Sequence, residues 1–233
     1  MNNPETSHPE QGNVFVFVLI GIVLFAALAF TFTRSAQQGT GNFTIQQARV
    51  AAGDILSYAQ YMERAVSKIR VRRVSESLLD FENTSVTGYT NPACTSGACE
   101  IFNPQGGQMV WQNPPAQANN ASPWVINGTT RVSGVGTDGA VASAADLLLI
   151  LPNVDKTVCA EINTRLGISN PSGNPPRVTG STVNVTAKFI GGFSMVGDPI
   201  SVTELNGRSA GCFEGNGTPA TATYHFYQVL LAR

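Results

Sequence analysis

Val14-Phe15-Val16-Phe17-Val18-Leu19-Ile20-Gly21-Ile22-Val23-Leu24-Phe25-Ala26-Ala27-Leu28-Ala29-Phe30 decides how the rest of this chain is read. No charged residue occurs from Gln11 to Thr33. At ~1.5 Å rise per residue, about 20 helical residues cross the ~30 Å hydrocarbon layer of a bilayer. The run therefore reads as a transmembrane helix over residues 13–34. Two other readings compete. Ala27-Leu28-Ala29 has the small-x-small form of a signal-peptide cleavage site, but a signal peptide starts with positive charge and this one starts with Glu5 and Glu10. A buried core helix is the third reading.

The flanks set the charge pattern. Residues 1–12, a short tail or leader, carry no Lys or Arg. Residues 34–73 carry seven basic residues against Asp54 and Glu63, and residues 74–233 carry seven basic against eleven acidic. Basic residues after the span alone would place the body in the cytoplasm, whereas the cysteines below favour the body outside. Net charge is −1 and charged residues are 12% of the chain, which argues against a dedicated nucleic-acid binder. With 42% hydrophobic residues the chain is not of the disordered class either.

Beyond the span, Gly39 and Gly41 interrupt the helical pattern. Apolar residues then recur at Ile45, Ala48, Ala52, Ile55, Ala59, Met62, Val66 and Ile69, alternating three and four apart, the stripe of an amphipathic helix capped by Asn42 or Thr44. The stripe packs either on the chain's own body or on neighbouring copies. Residues 35–80 are thus a linker and stalk helix. The cluster Lys68-Ile69-Arg70-Val71-Arg72-Arg73 suits a solvated helix C-terminus.

After Asp80, Gly, Pro, Asn, Ser and Thr punctuate short apolar runs, and residues 81–233 read as a β-rich head. Gln108–Gln112 and Trp124–Ile126 read as strands bounded by Asn-Pro and Asn-Gly turns. Leu147–Leu151 is a buried strand stopped by Pro152, or a short buried helix. Val154–Leu166 reads as a helix with Asn153 at its cap and Gly167 past its end. Thr182–Ile190 alternates as a half-buried strand, and Tyr224–Leu231 suits a central strand buried on both faces. Gly134–Gly139 reads as a turn.

Four cysteines, Cys94, Cys99, Cys159 and Cys212, lie in the head. The Cys94–Cys99 spacing suits a small loop staple rather than the C-x-x-C of redox or zinc sites, which leaves Cys159 for Cys212. Three pairings are possible, and four free thiols are the alternative; an even count in a loop-rich body suits an oxidising compartment. Asn-x-Ser/Thr triplets begin at Asn42, Asn83, Asn120, Asn127, Asn184 and Asn216, a number that chance largely explains in so Asn- and Thr-rich a chain.

Catalytic chemistry is poorly provided for. The histidines are His8 and His225, and His225 lies within an aromatic strand where a structural role is expected. No G-x-S-x-G, Walker loop or H-E-x-x-H occurs. Asp80 and Glu82 are close in sequence, which is no evidence of paired glycosidase carboxylates. No enzyme activity, cofactor or metal is expected.

Gly12 followed at once by an apolar helix, a glycine break, an amphipathic extension and a β-rich body with a late cysteine pair resembles the type IV pilins and pseudopilins. That resemblance implies a leader ending at Gly12, a mature chain starting at Asn13, and a helix bundled in a filament core with the head outside. The Gly39–Gly41 break would match the pilin helix stretch that loosens in filaments, and Cys159–Cys212 the disulfide-closed region near the C-terminus. Phe17 stands where the family has a glutamate, and Glu10-Gln11 replaces its basic leader. Phe226–Arg233 and Gly88–Pro92 also resemble segments of bacterial single-pass envelope proteins.

The expectation is therefore an α+β protein, with a long N-terminal transmembrane and stalk helix broken near Gly39–Gly41, then a disulfide-stapled head. It would be a structural subunit of an extracellular filament or secretion pseudopilus, self-associating through Val14, Val18, Gly21, Phe25 and Leu28. It would be anchored in the inner membrane with its head in the periplasm, or extracellular after assembly. The competing expectation is a membrane-anchored periplasmic accessory or binding module of a larger envelope complex.

Overall fold

The computed structural model describes residues 17–25, 45–138 and 144–233. The chain divides into two compact units, Met1–Asn42 and Phe43–Arg233. In the first, residues 17–25 are helical. Among the described residues no helix is long and apolar enough to cross a membrane. The expected span reaches beyond 17–25 on both sides, and Gly12, Asn13, Val14, Leu28, the Gly39–Gly41 break and the Asn42 or Thr44 cap all lie outside the described residues.

The second unit is α+β. Helix α1 (Ile45–Val71) and helix α2 (Lys156–Arg165) pack on one face of a four-stranded sheet. The strands are β1 (Val125–Thr130), β2 (Asp146–Val154), β3 (Ala210–Glu214) and β4 (Tyr224–Leu231), in the order β1-β2-β4-β3 with every neighbouring pair antiparallel.

Helix α1 is built into the head's own core. Ala48, Ala52, Ile55, Ala59, Met62, Val66 and Ile69 are buried as the periodicity requires, and the stripe is broadened by Ala51, Tyr58 and Ala65, themselves seven apart. That width is what a helix needs when it covers a sheet rather than a single coiled-coil seam. The five buried alanines let its backbone approach closely. Ile45, first in the expected stripe, is instead 63% exposed.

The sheet is buried on both sides. Along β2, Leu147, Leu149 and Leu151 face the helices, while Leu148 and Ile150 join Tyr227, Val229 and Phe213 in a second core. This second core is closed by an irregular segment that contributes Ile168, Val178, Val183, Val185, Ile200 and Leu205. A strand buried on both faces has no polar side to alternate with, hence the unbroken leucine run. Both sheet edges are occupied. Phe189, Ser194 and Val196 donate backbone N–H groups to Ile126, Gly128 and Thr129 of β1, while at β3 the Val178 N–H donates to Glu214 C=O and the Glu214 N–H donates to Pro176 C=O. The head therefore offers no free row of ladder groups along these stretches for another chain to pair with.

Several expected boundaries and elements are corrected. β2 runs through Pro152 to Val154, with a register shift between Leu151 and Val154 that accommodates the proline, and Asn153 takes a positive φ there instead of capping a helix. The cap of α2 is Asp155, whose side chain accepts from Thr157 and Val158 N–H, so the helix starts at Lys156. β1 continues through Asn127-Gly128 with a register shift in place of a turn. Gln108–Gln112 forms no strand. It runs beside α1, where Gln112 N–H donates to Tyr58 Oη at 3.4 Å and Lys68 Nζ donates to Gln108. Thr182–Ile190 buries Val183, Val185 and Phe189 as alternation requires, yet makes only isolated bridges at Thr182 and Val183. Asn184 Oδ1 accepts the N–H groups of Thr186 and Ala187, turning the backbone out of a ladder.

Candidate assembly surface

Residues 17–25 are Phe-Val-Leu-Ile-Gly-Ile-Val-Leu-Phe, and every large side chain among them is at least half exposed, from 50% at Ile20 to 76% at Phe25. Val18, Gly21 and Phe25 are separated by three and four residues and so share one side of this helix. A Cβ placed on Gly21 would meet nothing within 4 Å. Removing one such side chain from water is worth ~1.5–3 kcal/mol. Covering such a surface with lipid or protein is favoured by the hydrophobic effect.

The head is held shut by bonds that its sequence disclosed unevenly. Cys94 pairs with Cys99 and Cys159 with Cys212, and no cysteine is free. The second bridge joins α2 to β3, and beside it Asn163 makes a contact no motif marks. Its Oδ1 accepts from Cys212 N–H and its Nδ2 donates to Cys212 C=O, each at 2.9 Å. A fully buried amide thus pairs with both backbone groups of the residue that its neighbour Cys159 holds covalently.

The outer side of α1 carries Val50, Tyr61 and Val71 exposed. Val50, Ala51 and Asp54 form a groove of about 360 Å³ with Pro115, Ala116 and Gln117. The basic C-terminal end of α1 is partly engaged: Arg70 donates to Val74 C=O at 2.6 Å and pairs with Glu76 at 3.4 Å, and Arg72 donates to Gln105 C=O at 2.6 Å. These bonds hold the following loops to the helix end.

The carboxylates at 80 and 82 organise a loop. Asp80 accepts the N–H of Glu82 and of Asn91, each at 2.7 Å, and Glu82 accepts Tyr89 N–H at 3.0 Å and Thr90 Oγ1–H at 2.9 Å. They line an open cleft of about 750 Å³ with Asn83, Thr87 and Glu100. His225 is buried and tilted on Phe213, with Nε2 3.0 Å from Thr223 Oγ1. A base acting on that hydroxyl would need a third group to orient it. His225 Nδ1 has no partner among the described residues, the Thr223 hydroxyl donates to Ala220 C=O, and burial pulls the imidazole pKa down to about 4. Among the described residues no cluster of His, Cys, Asp or Glu is placed to hold a metal ion.

No protein-family model, curated protein or solved structure matches the chain.

Proposed function

We propose that this chain is a pilin-like structural subunit, assembled into an extracellular filament or secretion pseudopilus through its apolar N-terminal helix. The observation that carries the reading is the uncharged helical surface at 17–25, exposed on all sides and joined in sequence to a head that closes its own sheet edges. Such a head needs no partner to fold, whereas such a helix needs neighbours. Before assembly lipid supplies them; in a filament, like helices do. Two disulfides support a head that matures in an oxidising compartment, outside the inner membrane.

Imaging the native assembly by electron microscopy tests the reading. Helical filaments with a single repeating subunit are the expected result. Discrete particles containing other chains would favour the anchored accessory module instead.

A further inference from the structure

Of the Asn-x-Ser/Thr triplets in the described residues, the structure leaves one whose amide nitrogen and hydroxyl both bond to no described residue. Asn127 is fully buried and its Nδ2 donates to Asn184 C=O at 3.0 Å. The Nδ2 groups of Asn83 and Asn216 donate to Phe81 C=O at 3.1 Å and Thr179 C=O at 3.4 Å. Asn120 is exposed, but the Ser122 hydroxyl of its triplet is spent on Asn120 Oδ1 at 2.5 Å and on Asn153 at 3.2 Å. Pro123 then biases Ser122 toward extended backbone, which restricts how this triplet reshapes around an enzyme.

Asn184 differs on each count. Its Oδ1 is fixed by the N–H groups of Thr186 at 3.1 Å and Ala187 at 3.0 Å, while its Nδ2 donates to no described residue. The side chain is half-buried, Thr186 is exposed, and the Thr186 hydroxyl makes no bond to a described residue. Beside them lies a cavity of about 270 Å³ with Val196 and Pro219 in its wall. An amide held by its oxygen with its nitrogen turned free, an open hydroxyl two residues on and an apolar recess alongside suit a surface acceptor for a sugar.

We propose that Asn184 is an N-glycosylation site of the exported head, an inference that rests on the head-outside reading above. The donor class is a lipid-linked oligosaccharide. Asn184 Nδ2 forms a bond to the anomeric carbon, the bond from that carbon to the lipid phosphate breaks with its electron pair leaving on the phosphate, and the amide proton passes to a base of the transferase. No oxidation or reduction is involved.

Tryptic mass mapping of the full chain from its native membranes separates the sites, because peptide 178–188 contains Asn184 and no other triplet. The expected result is a hexose or N-acetylhexosamine mass increment on 178–188, with 74–131 and 209–233 unmodified. The increment should vanish in Thr186→Val and persist in Thr186→Ser, with the thermal midpoints of both variants showing that the head folds. Asn184→Gln should also lose it. An unmodified 178–188 peptide in the wild-type protein overturns the proposal. The same map reads the cysteines: if both disulfides are present, the head-outside reading survives that failure, and if four free thiols are found, it falls as well.

Discussion

His225 is surrounded by the aromatic interior of β4, and its charged form is disfavoured there because burial removes its water. Its folded value, about 4, lies below the ordinary 6.5. The unfolded chain therefore binds a proton that the folded one refuses. Stability is whole above pH 6.5 and is lost as pH falls from 6.5 toward 4, by about 3 kcal/mol across that window. Asp146, which burial raises from its ordinary 3.8, acts in the opposite sense, since the folded state takes up its proton first as pH falls. Urea midpoints between pH 7.5 and 4.5 should therefore decline in the wild type and decline less in His225→Phe; equal slopes would remove His225 as the cause. Asn163 belongs to the same scale. Asn163→Ala leaves Cys212 N–H and C=O without their partner in a site closed to water, and an orphaned buried group costs ~1–3 kcal/mol. A loss of that size in chemical denaturation is expected; a change within ~0.5 kcal/mol would mean that the amide pair contributes little.

Among the elements, α2 and β3 are joined twice, by Cys159–Cys212 and by Asn163. The bridge spans a sequence separation of 53, worth about 4 kcal/mol on the chain-entropy model. Cys159→Ser and Cys212→Ser should each lower stability by a similar amount, and the double variant should be no worse than either, because all three remove one link. Additive losses in a double-mutant cycle would contradict this. The same elements show what a sequence discloses. β4, the leucine run of β2 and the face of α1 were legible because burial leaves a period: none for a strand covered twice, two for a strand covered once, near 3.6 for a helix. Thr182–Ile190 has the period of a strand because it buries alternate residues, but Asn184 captures its backbone. Only the hydrogen-bond pattern separates the two cases, and apolar spacing does not record it. Pro152 and Asn127-Gly128 were misleading for a related reason: a register shift absorbs each inside a strand, and a shift is a property of the partner strand. The Asn163 clamp left no signal, since a buried asparagine on a helix looks like any other until the facing strand is known.

Taken whole, the molecule is asymmetric in how it satisfies itself. The head covers its sheet with helices on one face and an irregular layer on the other, bonds both edges, ties α2 to β3 through Cys159–Cys212 and closes the 94–99 loop through Cys94–Cys99. The helix at 17–25 does none of this. Self-assembly through that helix is what we propose, and Gly21 is the place to test it. Within the chain a side chain there has open space, since a Cβ meets nothing within 4 Å. Leucine at this position also slightly favours the helix, so an assembly defect in Gly21→Leu points to contact with another molecule, where glycine permits close helix approach. The measurement is filament yield by electron microscopy for the wild-type and Gly21→Leu chains, alongside disulfide content and the head's thermal midpoint. Filaments should disappear or shorten severely in Gly21→Leu while the disulfides and the midpoint stay unchanged. Filaments of normal number and length with Leu at this position would contradict a tight helix contact at residue 21.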